Sequence, residues 1–445
     1  MKRKLEKCMM LSMAACLLLG GCQQQNGGGA KESSNEAKEQ ITITYMSRFA
    51  NEEEPDSKYY MERLAKFQEE NPDIKVEDLS VVELDAYKTK LKSTVASGKP
   101  VDIFTNYGNN DIAEWVESGV VKDISDIISA EDWNGPAGDG IYESFNYSAR
   151  GINGIYGVPT KVLANMLYVN TRILDECGLK TPETWEDVLE MTPVLKENGY
   201  IPMALGAKTK GRVCHWHTLL ALQMWGMEFK DDLVSGKEKW TGDKMMEVIN
   251  TFKSFIDQGV FGEFAISDDA TAHEARFING EAAMMMDLSV VIPQMKSSKD
   301  YDSIKVTRMP YFKEHPENKD QWYISMGDAY SITVDKDSPK YDAVVKLLKF
   351  MTEEETYKEQ NELWKGGVFP MDVEINKEGT ERLMQEYMES FAKKSGGCDE
   401  LDVYFEMPNT QDVVRNEMQT LFAGREPDEI AAAIQKELDN YQNNK

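Results

Sequence analysis

Cysteine is scarce in this chain. There are six in 445 residues, and Cys8, Cys16 and Cys22 fall in its first 22 positions. Cys177, Cys214 and Cys398 remain, an odd and sparse set that allows at most one bridge and no disulfide framework. Histidine is scarcer still, at four. Positive charge is also short, with 50 Lys and Arg against 77 Asp and Glu and a net charge of −27. Such a surface repels phosphate backbones and anionic lipid, so nucleic acid is not expected as a partner. Beyond the N-terminal leader no apolar run approaches the roughly 20 residues that span a bilayer. A phosphate-cradling glycine loop, a dinucleotide fingerprint and a nucleophile elbow are all missing, and no cofactor is expected. Carboxylates are so abundant that counting alone leaves a glycosidase's acid pair open.

What the chain does contain begins with basic residues, an apolar run and Leu19-Gly20-Gly21-Cys22. That order is an export signal, and its ending fits a bacterial lipobox. Residues 1–21 are read as a lipoprotein signal peptide and Cys22 as the lipidated residue, with an ordinary signal peptide or short anchor as the alternative. Residues 22–40 are polar and rich in Gly and Ser, a flexible tether. The mature protein is therefore expected on the outer face of the cell membrane, held by lipid.

From Ile41 the pattern changes. Ile41, Ile43 and Tyr45 alternate with Thr42, Thr44 and Met46 as a strand. A helix follows from Asp56 or Ser57 to about Glu70, then a strand at 74–76, a helix at 85–97 and a strand at 101–104. This alternation predicts α/β architecture with mainly parallel sheets covered on both faces. The chain is too long for one core, which predicts two lobes. Ligands of such sheets collect beyond the strand C-termini. Arg48 and Phe49 end the first strand there, and Asn106 and Tyr107 end the third. Farther on, 211–225 is expected to hold CHWH followed by an apolar helix, and another helix is expected at 240–259.

The stretch Gly151–Val188 carries the most order: GINGIYGVPTKVLANMLYVNTRILDECGLKTPETWEDV. It predicts a strand broken by Pro159, a crossing segment, a second strand, and a short helix capped by Asn170 and stopped by Gly178. A further helix should start at Thr184, with Asp187 at capping-box spacing. This stretch resembles the hinge-crossing segment of the family-1 extracellular solute-binding proteins, the sugar-binding components of ABC importers. Three later pieces extend the resemblance: Phe277–Met284 (FINGEAAM), Met326–Val334 (MGDAYSITV) and Leu421–Glu429 (LFAGREPDE). The family pattern usually has a second glycine where Asp328 stands.

The resemblance implies a periplasmic-binding-protein-like fold with a multi-crossing hinge. Lobe 1 would comprise 41–163 and 328–365, and lobe 2 164–327 and 366–445. It implies a non-enzymatic protein, expected as a monomer, that closes around a sugar, read as an oligosaccharide, and delivers it to ABC permease subunits. A secreted glycosidase or lyase, or a binder of a peptide or polyamine, stays open as an alternative. Sugar binding uses aromatic faces and placed polar groups. The expected ligand contacts are therefore Arg48, Phe49, Asn106 and Tyr107 at the strand ends, with Lys161 and Asp328 in the crossings. Trp216, His217, Asp287 and Trp364 complete the set. Four have a plainer reading: core packing for Trp216, a helix cap for Asp287, a surface lysine for Lys161, and only a turn at Gly366-Gly367 after Trp364. His215 and His217 beside Cys214 invite a metal test, but two histidines lack a third and fourth ligand, and no metal is expected.

Overall fold

The computed structural model describes residues 40–137, 141–374 and 379–444. The leader, Cys22 and all of the tether but Gln40 lie outside the described residues. In chain order the strands are β1 (Ile41–Met46), β2 (Ile74–Asp78), β3 (Ile103–Asn106), β4 (Val158–Pro159), β5 (Leu163–Asn170), β6 (Ile201–Ala204), β7 (Ala282–Leu288), β8 (Ile304–Thr307), β9 (Gln321–Ser325), β10 (Ala329–Ile332) and β11 (Gly396–Cys398). They form two sheets, ordered β2-β1-β3-β10-β4 and β11-β9-β5-β7-β6, with β8 also beside β5.

Each sheet is buried on both faces, and the period-2 geometry of a strand shows how. In the first sheet Ile43, Tyr45 and Ile103 face a core shared with Leu64, Phe67, Leu347 and Leu348. Met46 and Phe104 face the opposite core, with Tyr87, Leu91 and Val116. In the second sheet Leu167 and Val169 meet Trp185, Trp216 and Phe252, whereas Met166 and Tyr168 meet Phe277 and Tyr387. Helices therefore cover both sides of both sheets, and the chain has two α/β lobes.

The strand directions differ from the sequence expectation. β1 pairs in parallel with β2 and β3, but β10 enters antiparallel between β3 and β4. In the second sheet β5 runs antiparallel to β7, β8 and β9, and only β6–β7 and β9–β11 are parallel. The sheets are mixed rather than mainly parallel. The cause is the connectivity: β5 and β10 arrive from the other lobe, so they enter from the end at which the local βα units finish.

Local signals fare better. Asn170 caps the helix Thr171–Glu176, and Thr184 and Asp187 form the reciprocal capping box of the helix Trp185–Glu197. The third strand starts two residues later than the pattern suggests, and the helix expected at 240–259 spans Asp243–Asp257. The chain passes between the sheets at 160–162 and again at 326–328. These passages lie side by side: Thr160 donates its N–H and its hydroxyl to the Asp328 carbonyl, both at 2.8 Å. After Trp364 the chain leaves the first lobe, where Glu359 holds Arg63 at 2.7 Å, for the helix Arg382–Phe391 packed on β8.

Candidate functional site

The end of each sheet nearest the passages follows from the register. β5 begins at Leu163 against Ser325, the last residue of β9, and Asn165 lies against Leu288, the last residue of β7. On the first sheet, Ala329 at the start of β10 lies against Asn106 and Pro159. Arg48, Tyr107, Lys161 and Asp328 therefore gather on the side of lobe 1 that turns toward lobe 2.

The structure brings six of the expected residues together there. Arg48 Nη1 donates to the Tyr107 hydroxyl at 2.7 Å. Lys161 Nζ bonds Asp56 Oδ2 at 2.6 Å and lies over the rings of Phe49 (5.3 Å) and Trp364 (5.6 Å). Cation–π contact with both rings fixes the ammonium between two aromatic faces. Phe49 stacks on Tyr60 at 4.1 Å, and Trp364 meets Tyr59 edge-on at 6.4 Å and Phe369 face-on at 6.2 Å. Burial lowers the pKa of Lys161, but Tyr60 and the Asp56 and Asp328 carboxylates outweigh it and hold it above the ordinary value. For Asp328 burial dominates and raises the pKa, against the pull of Lys161 and Arg48.

Three polar groups in this cluster lack partners. Arg48 Nε and Trp364 Nε1 are buried without a hydrogen bond. The Asp328 carboxylate makes none to a described residue either, although its charge faces Lys161 and Arg48. Buried donors are nearly always satisfied, so donors and an acceptor left open beside aromatic faces mark a place shaped for a hydroxyl-rich partner.

The other four expected contacts are corrected. Asn106 is 2% exposed, and its amide is spent on Ser331 Oγ (2.8 Å) and the Gly108 N–H (2.9 Å), closing the turn after β3. Asp287 is fully buried and saturated: His273 Nε2 at 2.8 Å, Arg212 at 2.8 Å and its neighbour's N–H at 2.7 Å. Trp216 has no exposed surface and packs among Trp185, Phe252 and Phe261. His217 is equally buried, edge-on to Trp240. The helix Lys210–Trp225 is buried over almost its whole length, so neither side chain faces the cleft.

Sequence reasoning also missed residues. Asp56 holds Lys161, and Tyr60 backs Phe49; both sit on the helix Pro55–Glu70, where an acid and an aromatic look like ordinary surface and core. At the matching end of lobe 2, Asp399 accepts from the Tyr323 (3.1 Å) and Ser325 (3.0 Å) hydroxyls. Among 77 acids nothing local distinguished it.

A family model described as bacterial extracellular solute-binding protein matches residues 50–358. An ABC transporter extracellular-binding protein of Pyrococcus horikoshii is 24% identical over 226 residues, 50% of this chain and 50% of that protein. The multiple sugar-binding protein of Streptococcus mutans is 26% identical over 198 residues, 44% of this chain and 43% of its own. The matched stretch thus spans about half the length of these curated relatives. A solved chitin oligosaccharide binding protein superposes with a TM-score of 0.75 at 19% identity, covering 90% of this chain and 99% of its own.

Proposed function

The chain belongs to the bacterial extracellular solute-binding protein family, and on that premise we propose that it captures a sugar, an oligosaccharide rather than a monosaccharide, for an ABC importer. The relatives named for sugar and chitin-oligosaccharide binding support that ligand class. The carrying observation is the open donors Arg48 Nε and Trp364 Nε1, with the Asp328 carboxylate facing Lys161 and Arg48, beside the faces of Phe49 and Trp364. In this reading the rings cover the apolar face of a pyranose, while the arginine, indole and carboxylate bond its hydroxyls. Tyr107 positions Arg48, and Asp56 positions Lys161.

The lobes, taken as 41–163 with 328–365 and 164–327 with 366–445, close about the passages at 160–162 and 326–328. The ligand stabilises the closed form, which the permease reads. No bond in the sugar is made or broken. The protein acts as a monomer tethered through diacylglyceryl-Cys22. No helix among the described residues is long and apolar enough to cross a membrane.

A thermal-shift screen of the protein against mono- and oligosaccharides tests this, since ligand raises the melting temperature by mass action. At least one oligosaccharide should raise it and be recovered intact. Trp364→Ala should weaken that ligand by at least about tenfold, or roughly 1.4 kcal/mol. A shift by peptides or polyamines alone defeats the sugar assignment, and cleavage of the sugar defeats the binder reading.

A further inference from the structure

His217, set aside from the cleft, sits in a second cluster. Cys214 and His217 are three residues apart on the helix Lys210–Trp225, and so share one of its faces. The 3-10 turn Leu401–Tyr404 lies against that helix, with the Leu401 N–H donating to Thr218 Oγ1 at 3.1 Å. Asp402 is thereby brought to the same face. One ligand-capable atom from each of Cys214, His217 and Asp402 lies within 4.8 Å of the others, and all three side chains are buried.

Two members of the cluster are wholly unsatisfied. Both ring nitrogens of His217 and both carboxylate oxygens of Asp402 lack a hydrogen-bond partner. The Val213 carbonyl, one turn earlier, faces the His217 ring without a bond of normal geometry. Four open polar atoms on two residues with 0% exposure, one atom of each within 4.8 Å of a thiol sulfur, call for a partner that accepts lone pairs.

We propose that Cys214, His217 and Asp402 bind a zinc ion that fastens the turn Leu401–Tyr404 to the helix Lys210–Trp225.

Thiolate with imidazole is a zinc donor set, whereas calcium and magnesium take oxygen alone. Bonds of about 2.0–2.3 Å to a common centre require the three atoms to draw in by about 1 Å, within the reach of side-chain rotation. Charge also balances. Glu400 is neutralised by Arg415 through bonds of 2.9 and 2.6 Å. A divalent ion with one thiolate and one carboxylate then adds no net charge to the buried site; binding releases the thiol proton and any proton on Asp402. Three protein ligands leave one tetrahedral position open. A count of histidines does not reveal this site, because its third ligand is an aspartate from a distant segment.

The full chain, purified without a metal-affinity step, is expected to carry about one zinc per chain by elemental analysis. After chelation under mild denaturant, Co²⁺ should restore the fold with a thiolate-to-cobalt charge-transfer band. Cys214→Ser should abolish the band, and Asp402→Asn should weaken metal affinity by at least about tenfold. The proposal is overturned if the wild-type chain takes up neither metal, or if the band persists in Cys214→Ser. The wild-type cobalt spectrum decides the matter even where a variant fails to fold.

Discussion

Asp399 accepts hydrogen bonds from two hydroxyls and from the Glu400 N–H at 2.8 Å, yet burial and the Glu400 charge raise its pKa to about 6. Its unfolded value is about 3.9. The folded state therefore holds the proton more tightly, so stability from the protonated form is complete below about pH 4 and is lost as pH rises through about 6. Because the side chain keeps some exposure, the effect is discounted to about 1–2 kcal/mol. The stability of Asp399→Asn relative to wild type should accordingly grow by that amount between pH 4 and pH 7, as read from denaturant midpoints at each pH. A flat difference would mean the carboxylate titrates normally. At this scale the sequence was half legible. Arg48, Phe49 and Tyr107 lie where the rule of strand C-termini expects them, but Asn106 obeys the same rule and spends its amide on the turn.

Caps and stops were readable wherever they are local. The Thr184–Asp187 box works within one helical turn, and so it survives into the structure. Direction was not readable, because β10 is antiparallel only by virtue of where β9 leaves it. Nor was the helix Lys210–Trp225: buried over most of its surface, it has no polar face to reveal which side chains look outward, and Trp216 and His217 were misplaced for that reason. The passage at 326–328 carries its own test. Gly327 has φ +53°, and a Cβ there would lie 3.0 Å from Lys161 Cβ. Gly327→Ala combines left-handed backbone with a crowded neighbour and should cost about 1–2 kcal/mol. Urea unfolding should show the midpoint lowered with an unchanged slope; an unchanged midpoint would mean the two passages are free to separate.

Away from the passages, the lobes also touch. Lys230, buried and 4.7 Å from the Tyr404 ring centre, pairs with Glu143, and Arg150 donates to the Phe405 carbonyl at 2.9 Å. Under the proposed closing motion this contact holds the closed form. Glu143→Gln should then raise the sugar's dissociation rate about three- to tenfold while leaving the association rate nearly unchanged. Stopped-flow tryptophan fluorescence measures both, and an unaltered dissociation rate would remove the contact from the mechanism. The position of Lys161 and Asp328 has a different consequence. They are the chain's own crossover residues, joined through Thr160 and the Asp328 carbonyl. In the proposed reading the receptor and its bearing are one part, with no relay between sensing and movement. Substitutions at these two positions should therefore never separate affinity from the swing of the molecule.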